Sequence, residues 1–162
     1  MPREEPTRWT GPGDDRLEFL EIEWCTPLYQ EALDLRHRVL REPLGLKLTA
    51  EELDGEYADL HFGLRNGSDQ LAAVISAKPL TSSSVKLRQM AVDPECQGTG
   101  VGKQLLQKVE EALKERGYQQ FHLHARETAI GFYEKAGYTQ VGETFTEISL
   151  PHRKMVKPYD DA

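Results

Sequence analysis

Apolar and polar positions change period several times along this chain, and each change marks a predicted element. Residues 17–24, LEFLEIEW, set Leu17, Phe19 and Glu21 against Glu18, Leu20 and Ile22, a mixed alternation that suits a strand with one face more buried than the other. Pro27 then opens a helical stretch to about Leu40, with Leu28, Ala32, Leu35 and Val39 at helical spacing. Thr49 stands where it caps a short helix over Ala50–Leu53, with Glu52 in the reciprocal position of a capping box. Residues 61–66 and 70–78 read as two strands joined by a turn that starts at Asn66-Gly67. Ser82, Ser83 and Ser84 supply a second turn, and the strand that follows, 85–92, is stopped by Asp93-Pro94.

A Gly-rich loop then leads into an amphipathic helix with Val101, Leu105, Leu106, Val109, Ala112 and Leu113 on one face and Gly117 at its end. A strand at 121–125, a helix from about Thr128 to Lys135 closed by Gly137, and strands near 139–146 and 153–157 complete the pattern. Strands outnumber helices, and the early ones are joined by tight turns. The expected architecture is therefore α/β (α+β), a mixed, mostly antiparallel central sheet of about 6–7 strands flanked by about 4 helices, and not a doubly wound parallel sheet. Residues 1–16 are rich in Pro, Gly and charge, with only Trp9 as a bulky apolar side chain. They are expected to form a mobile N-terminal tail, 17–158 a single domain, and 159–162 a C-terminal tail.

Charge narrows the partners. Twenty Lys and Arg against 27 Asp and Glu give a formal net charge of −7. A nucleic-acid binder needs a basic stripe, and a protein held on anionic lipid needs a basic patch; no run here supplies either. No apolar run approaches the roughly 20 residues that span a bilayer, and the N-terminal residues lack the apolar core of a signal peptide. Two cysteines, Cys25 and Cys96, are too few for a disulfide framework. The expectation is a cytoplasmic protein with no nucleic-acid and no membrane partner.

The chemistry concentrates in residues 90–106, MAVDPECQGTGVGKQLL, where small residues lie between a strand and a helix N-terminus. Such a segment is an anion site, because unpaired amides point outward, the helix dipole favours negative charge, and glycines let a phosphate approach the backbone. Two phosphate motifs fail here. Around Gly102-Lys103 a nucleotide-triphosphate loop would need Gly and Ser or Thr where Gln97 and Gln104 stand. A dinucleotide fingerprint begun at Gly98 and Gly100 would need Gly where Lys103 stands. What fits is Q-x-x-G-x-G, made by Gln97, Gly100 and Gly102.

That segment, preceded by a strand ending in V-D-P, resembles the acetyl-CoA pyrophosphate loop of the GCN5-related N-acetyltransferases (GNAT). A later stretch is similar to the same family's N-x-x-A-I-x-[FL]-Y-x-[KR]-x-G-[FY] helix. Ala129, Ile130, Phe132, Tyr133, Lys135, Gly137 and Tyr138 match it, and Arg126 replaces the Asn. A narrower resemblance, to ElaA-like members, rests on Leu35, Arg36, Val39 and Glu42, on Asp54 and His61, and on the ending Glu147, Ile148, Pro151, His152 and Met155; Pro43 departs from it.

The resemblance implies a GNAT-like acyl-CoA N-acyltransferase fold and transfer of acetyl from acetyl-CoA, as co-substrate, to a primary amine. The acceptor would be a small molecule or peptide bearing an acidic group. A non-catalytic acyl-CoA-binding or sensing domain is the alternative. It further implies that Gln97, Gly98, Thr99, Gly100, Val101, Gly102 and Lys103 hold the pyrophosphate. The backbone of Met90, Ala91 and Val92 would pair with the pantetheine arm like an added strand. Tyr133 is the candidate general acid.

Where some members carry a base on the strand before the loop, this chain has Lys86 and Arg88, which suit an acidic acceptor better than they suit proton abstraction. His61, His124 and His152 remain as candidate bases, because neutral imidazole fits the role. His122 and His124 share a strand face, but no Cys/His cluster accompanies them, and no metal is expected. Cys96 beside the loop is read as incidental. A homodimer is left open, since many relatives pair.

Overall fold

The computed structural model describes residues 17–158; the expected tails at 1–16 and 159–162 lie outside the described residues. In chain order the elements are β1 (Glu18–Glu21), α1 (Pro27–Arg36), α2 (Ala50–Leu53), β2 (Leu60–Arg65), β3 (Leu71–Pro79), β4 (Ser84–Val92), α3 (Val101–Glu115), β5 (Gln120–Arg126), α4 (Ile130–Lys135), β6 (Thr139–Glu147) and β7 (Leu150–Pro158). The strands lie in the order β1-β2-β3-β4-β5-β7-β6. β4 and β5 are parallel, while β1–β2, β5–β7 and β6–β7 are antiparallel. This is the mixed, mostly antiparallel sheet with four helices that the pattern predicts. The described chain falls into two compact units, one of residues 17–76 and 89–109, the other of 77–88 and 110–158.

In the first unit, residues 71–76 of β3, LAAVIS, are buried without a break, so this strand is covered on both faces. Ile22, Tyr29, Ala32, Leu35, Leu71, Val74 and Ala91 form a core cluster, with Leu28, Leu33, Val39 and Leu40 packed on it. β1 pairs with β2 from Glu18 opposite Arg65 to Glu21 opposite Phe62, and Phe19 stacks on Phe62 with centroids 5.6 Å apart. Thr26 caps α1 by accepting from the Tyr29 amide at 3.2 Å, and Pro27 occupies the first turn, where no N–H is needed. The helical stretch predicted to about Leu40 ends as regular α-helix at Arg36. It widens into a π-turn over His37–Arg41 and closes in a 3-10 turn at Glu42–Leu44, whose Pro43 has no amide to continue the ladder. The Thr49–Glu52 capping box forms as read.

A buried ion pair joins α1 to the turn before β2. Arg36 donates from Nη1 and Nη2 to the two carboxylate oxygens of Glu56 at 2.8 and 2.7 Å, and both side chains are almost wholly buried. Tyr29 Oη donates to the same carboxylate at 2.7 Å. His61 Nε2 meets the Glu56 carbonyl at 2.8 Å and its Nδ1 meets Ser76 Oγ on β3 at 2.7 Å.

The second unit has its own core of Val85, Leu87, Leu113, Phe121, Leu123, Ala125, Tyr138 and Met155. Glu110, buried on α3, accepts from Tyr138 Oη and from Lys157 Nζ, both at 2.7 Å, and Lys157 also donates to the Ala136 carbonyl at 2.8 Å. α4 ends at Gly137, whose φ of +99° lets the Tyr138 amide reach back to the Tyr133 carbonyl at 3.0 Å.

Burial pushes the Glu56 carboxyl up, but Arg36, Tyr29 and the charge on His61 outweigh it and hold it below the usual carboxylate range. A depressed folded value means that this stabilisation is present above the unfolded value and is lost as pH falls through the folded one. Glu56→Gln should therefore lower unfolding free energy at pH 7 by about 3–5 kcal/mol. Urea titrations at pH 7 and pH 4 check this: the variant should lose less stability than the wild type between the two.

Candidate functional site

β4 ends in the predicted loop, which is built by short-range bonds. Asp93 Oδ1 accepts from the Glu95 amide at 2.9 Å, and the Cys96 amide returns to the Asp93 carbonyl at 2.8 Å. Gln97 Nε2 donates to the Val92 carbonyl at 3.0 Å, so this side chain is a strut that ties the loop to the strand it leaves. Thr99 Oγ1 donates to the Cys96 carbonyl. Gly98 and Gly100 sit at φ of +80° and +89°, and a Cβ at either would meet nothing within 4 Å. The first helical bond runs from the Gln104 amide to the Gly100 carbonyl at 3.0 Å, so the amides of Val101, Gly102 and Lys103 precede it. Upstream, Gln89 at φ +56° interrupts the regular pleat ahead of Met90, Ala91 and Val92. Cys96 is buried, and burial, with Asp93 and Glu95 adding to it, pushes its thiol up to about 12. It is no thiolate near neutral pH.

In the second unit, β4 and β5 run parallel from Ser84 opposite Gln120 to Leu87 opposite Leu123. Arg88 and His124 are the next residues on each strand. Because paired residues share a face, Lys86, Arg88, His122, His124 and Arg126 all stand on the side opposite the core residues Val85, Leu87, Phe121, Leu123 and Ala125. β7 adds His152 and Lys154 to that side, and β6 adds Phe145 and Glu147. The result is a sheet face rich in cations and imidazoles, with one carboxylate among these named residues.

That carboxylate organises its neighbours. His124 Nδ1 lies 3.0 Å from Glu147 Oε1, and His152 Nε2 lies 3.8 Å from Oε2. The Phe145 ring sits between the two imidazoles, edge-on to His124 at 4.9 Å and stacked with His152 at 6.0 Å. Burial pushes the Glu147 carboxyl up, but the bond from His124 and the charges on His124, His152 and Lys86 overcome it and hold it low. Burial pulls the Lys86 ammonium down, as do Arg88, Lys78 and Lys154, and Glu147 opposes them. Tyr133 on α4 is half-buried between the edges of Phe132, 5.0 Å away, and Tyr138, 5.8 Å away, and burial pushes its phenol up to about 12.

The three candidate bases separate on geometry. His61 belongs to the first unit, buried, with both ring nitrogens engaged as described. His152 is buried, its Nδ1 against the Leu150 carbonyl at 2.9 Å. His124 is 27% exposed, and Glu147 occupies one of its nitrogens. His124, His152, Lys86 and Arg88 share one face of the second unit. In the sequence Glu147 stands only as part of the ElaA-like ending and Phe145 carries no signal; the pairing of Phe145 with His152 across a two-residue hairpin is what places them at the site.

Residues 44–158 match the model of the acetyltransferase (GNAT) domain. A Bacillus subtilis protein carrying a provisional acetyltransferase name is 29% identical over 133 residues, 81% of this chain and 90% of its own. Escherichia coli ElaA superposes with a TM-score of 0.74 at 22% identity, over 88% of this chain and 99% of its own. A GNAT acetyltransferase of Elizabethkingia anophelis, solved with acetyl-CoA bound, gives 0.68 at 16%, over 88% of this chain and 97% of its own. These two likenesses show the fold.

Two thiols of contrasting environment offer a check on the loop. Cys25 is exposed and Cys96 is buried. Iodoacetamide at pH 8 should label the folded protein at Cys25, and Cys96 should react only after denaturation, as read by peptide mass spectrometry. Rapid labelling of Cys96 in the folded protein would contradict the geometry.

Proposed function

The chain belongs to the acetyltransferase (GNAT) family, and from that premise we propose that it transfers acetyl from acetyl-CoA to a primary amine by direct attack on the thioester. The observation that carries the reading is the turn from Gln97 to Lys103, with two glycines at positive φ and open Cβ space ahead of the first-turn amides of a 15-residue helix. Such a turn binds a diphosphate through backbone N–H groups and the positive end of the helix dipole. The bound acetyl-CoA of the Elizabethkingia structure supports the same ligand here. In this reading the backbone of Met90–Val92 pairs with the pantetheine arm.

The amine nitrogen attacks the thioester carbon, the C–S bond breaks, and sulfur leaves as a thiolate with the bonding pair. A phenol held protonated to about pH 12 keeps its hydrogen at any working pH. Against an ordinary thiol near 8.5, Tyr133 acts as a hydrogen-bond donor to the developing thiolate, which takes its proton from solvent as CoA leaves. The proton released by the amine goes to His124. The buried thiol of Cys96 favours direct transfer over an acyl-enzyme. Lys86 and Arg88 read a carboxylate or phosphate on the acceptor, which the cationic sheet face around them supports.

Acetyl-CoA at 100 times its Kd should stabilise the folded chain by about 2.7 kcal/mol, read as a rise in Tm. Tyr133→Phe should lower kcat about 100-fold while leaving the KM for acetyl-CoA near its wild-type value. In a CoA-release assay, acidic amino acids and dipeptides should outperform spermidine. A strong preference for spermidine would remove the acidic-acceptor reading.

A further inference from the structure

Glu147 ends β6, and the two residues that follow it, Ile148 and Ser149, have φ of +50° and +60° before β7 begins at Leu150. A two-residue hairpin with both central residues at positive φ ordinarily carries Asn-Gly or Asp-Gly. A β-branched residue there is a steric outlier. The strained turn fixes the end of β6, and from it the Glu147 carboxylate reaches across β7 to Nδ1 of His124 on β5. The consequence lies in the tautomer. When Nδ1 carries the hydrogen and donates it to a carboxylate, the lone pair of neutral imidazole is on Nε2. Among the described residues, no hydrogen-bond partner of Nε2 is found, and the ring is partly exposed. Its other neighbour, Phe145, meets it through an aromatic edge contact and competes for no proton.

We propose that Glu147 is a positioning residue that fixes His124 in its Nδ1–H tautomer, so that Nε2 takes the proton from the acceptor amine. The inference rests on the acetyl-transfer reading above and adds to it the group that makes His124 a base. In the step itself, the amine N–H bond breaks, its electron pair stays on nitrogen to form the C–N bond, and the proton moves to Nε2. The resulting imidazolium then lies against the Glu147 carboxylate, which stabilises it. His152 completes the other side of the carboxylate at 3.8 Å without taking the hydrogen bond that orients His124.

The charged and titratable groups on the paired strands are Lys86 and Arg88 on β4, His122 and Arg126 on β5, His152 and Lys154 on β7, and Glu147 on β6. Glu147 is the one anion among them, so Glu147→Ala removes the acceptor that holds the hydrogen on Nδ1. Ring ¹⁵N NMR of the acetyl-CoA-free protein reads the tautomer without any acceptor amine. The wild type should show Nδ1–H at His124, and Glu147→Ala should move it toward Nε2–H. The same variant should lower kcat about 10-fold with the KM for acetyl-CoA near its wild-type value, and adding Glu147→Ala to His124→Gln should lower kcat no further.

An unchanged tautomer in Glu147→Ala would overturn the inference. So would a moved tautomer with kcat unchanged, since His124 would then be oriented but not the base. Loss of acetyl-CoA protection in the wild type would instead sink the acetyl-transfer reading, which the NMR arm does not depend on.

Discussion

A carboxylate taken out of water must find partners for its lone pairs, and the first unit is organised around one such requirement. Glu56 stands in a short 3-10 turn, with no regular helix to hold it. Its two oxygens are nevertheless covered by three donors, two from Arg36 and one from Tyr29. Arg36 and Tyr29 lie on α1, so the helix is locked in rotation as well as position. The backbone carbonyl of the same residue holds His61, whose other nitrogen holds Ser76 on β3. One acidic side chain and its peptide group thus fix a helix, a turn and two strands. Apolar burial around Leu35 and Val74 supplies the larger share of the free energy, but it is non-directional and would tolerate several packings. The ion pair is directional, and removing one partner leaves a buried charge alone.

The second unit obeys the same rule twice, with opposite outcomes. Glu110 is sealed by Tyr138 and Lys157, a phenol and an ammonium that each donate to its carboxylate. Its work is structural, tying α3 to β7 and to the end of α4. Glu147 is half-exposed, and its partner is an imidazole. The chemistry of the partner and the access of water separate them: a buried carboxylate against fixed donors is a staple, while an accessible carboxylate against a titratable ring is a control on that ring.

Much of this is legible in the sequence alone. α3 declared itself by its spacing and by Gly117, the loop by Gln97, Gly100 and Gly102, and the capping box by Thr49 and Glu52, because each signal is local. What stayed hidden depended on partners distant in sequence or on turns that break local rules. The π-turn after Arg36 continues a helical pattern in sequence and differs only in hydrogen bonding. Ile148-Ser149 carries no turn signal, so residues 147–152 read as a connection, although β6 and β7 extend to within two residues of each other. Glu147 was invisible as a site residue for the same reason, since its reach to His124 depends on a hairpin register that an Ile-Ser pair does not announce. Gln97 gave a subtler case. Its motif was readable, but its side chain serves the loop's geometry, a distinction that only the bond to Val92 makes.

Net charge is a poor guide at this scale. The chain carries −7, yet one face of the second unit gathers Lys86, Arg88, Arg126 and Lys154 around a single named acid. The loop of the first unit offers backbone amides with no formal charge at all. Coulomb interactions between exposed charges fade over about 8–10 Å in physiological salt, so distant acidic residues scarcely weaken an anion held at contact by N–H groups. The acidic total still matters at long range, where it opposes nucleic acid and anionic membrane surfaces. A small anion approaching a cationic face or a helix terminus responds instead to the last few ångströms. An acidic chain therefore needs no basic composition to present an attractive surface to a small anion; a few cations gathered on one strand face, or a few amides at one turn, are enough.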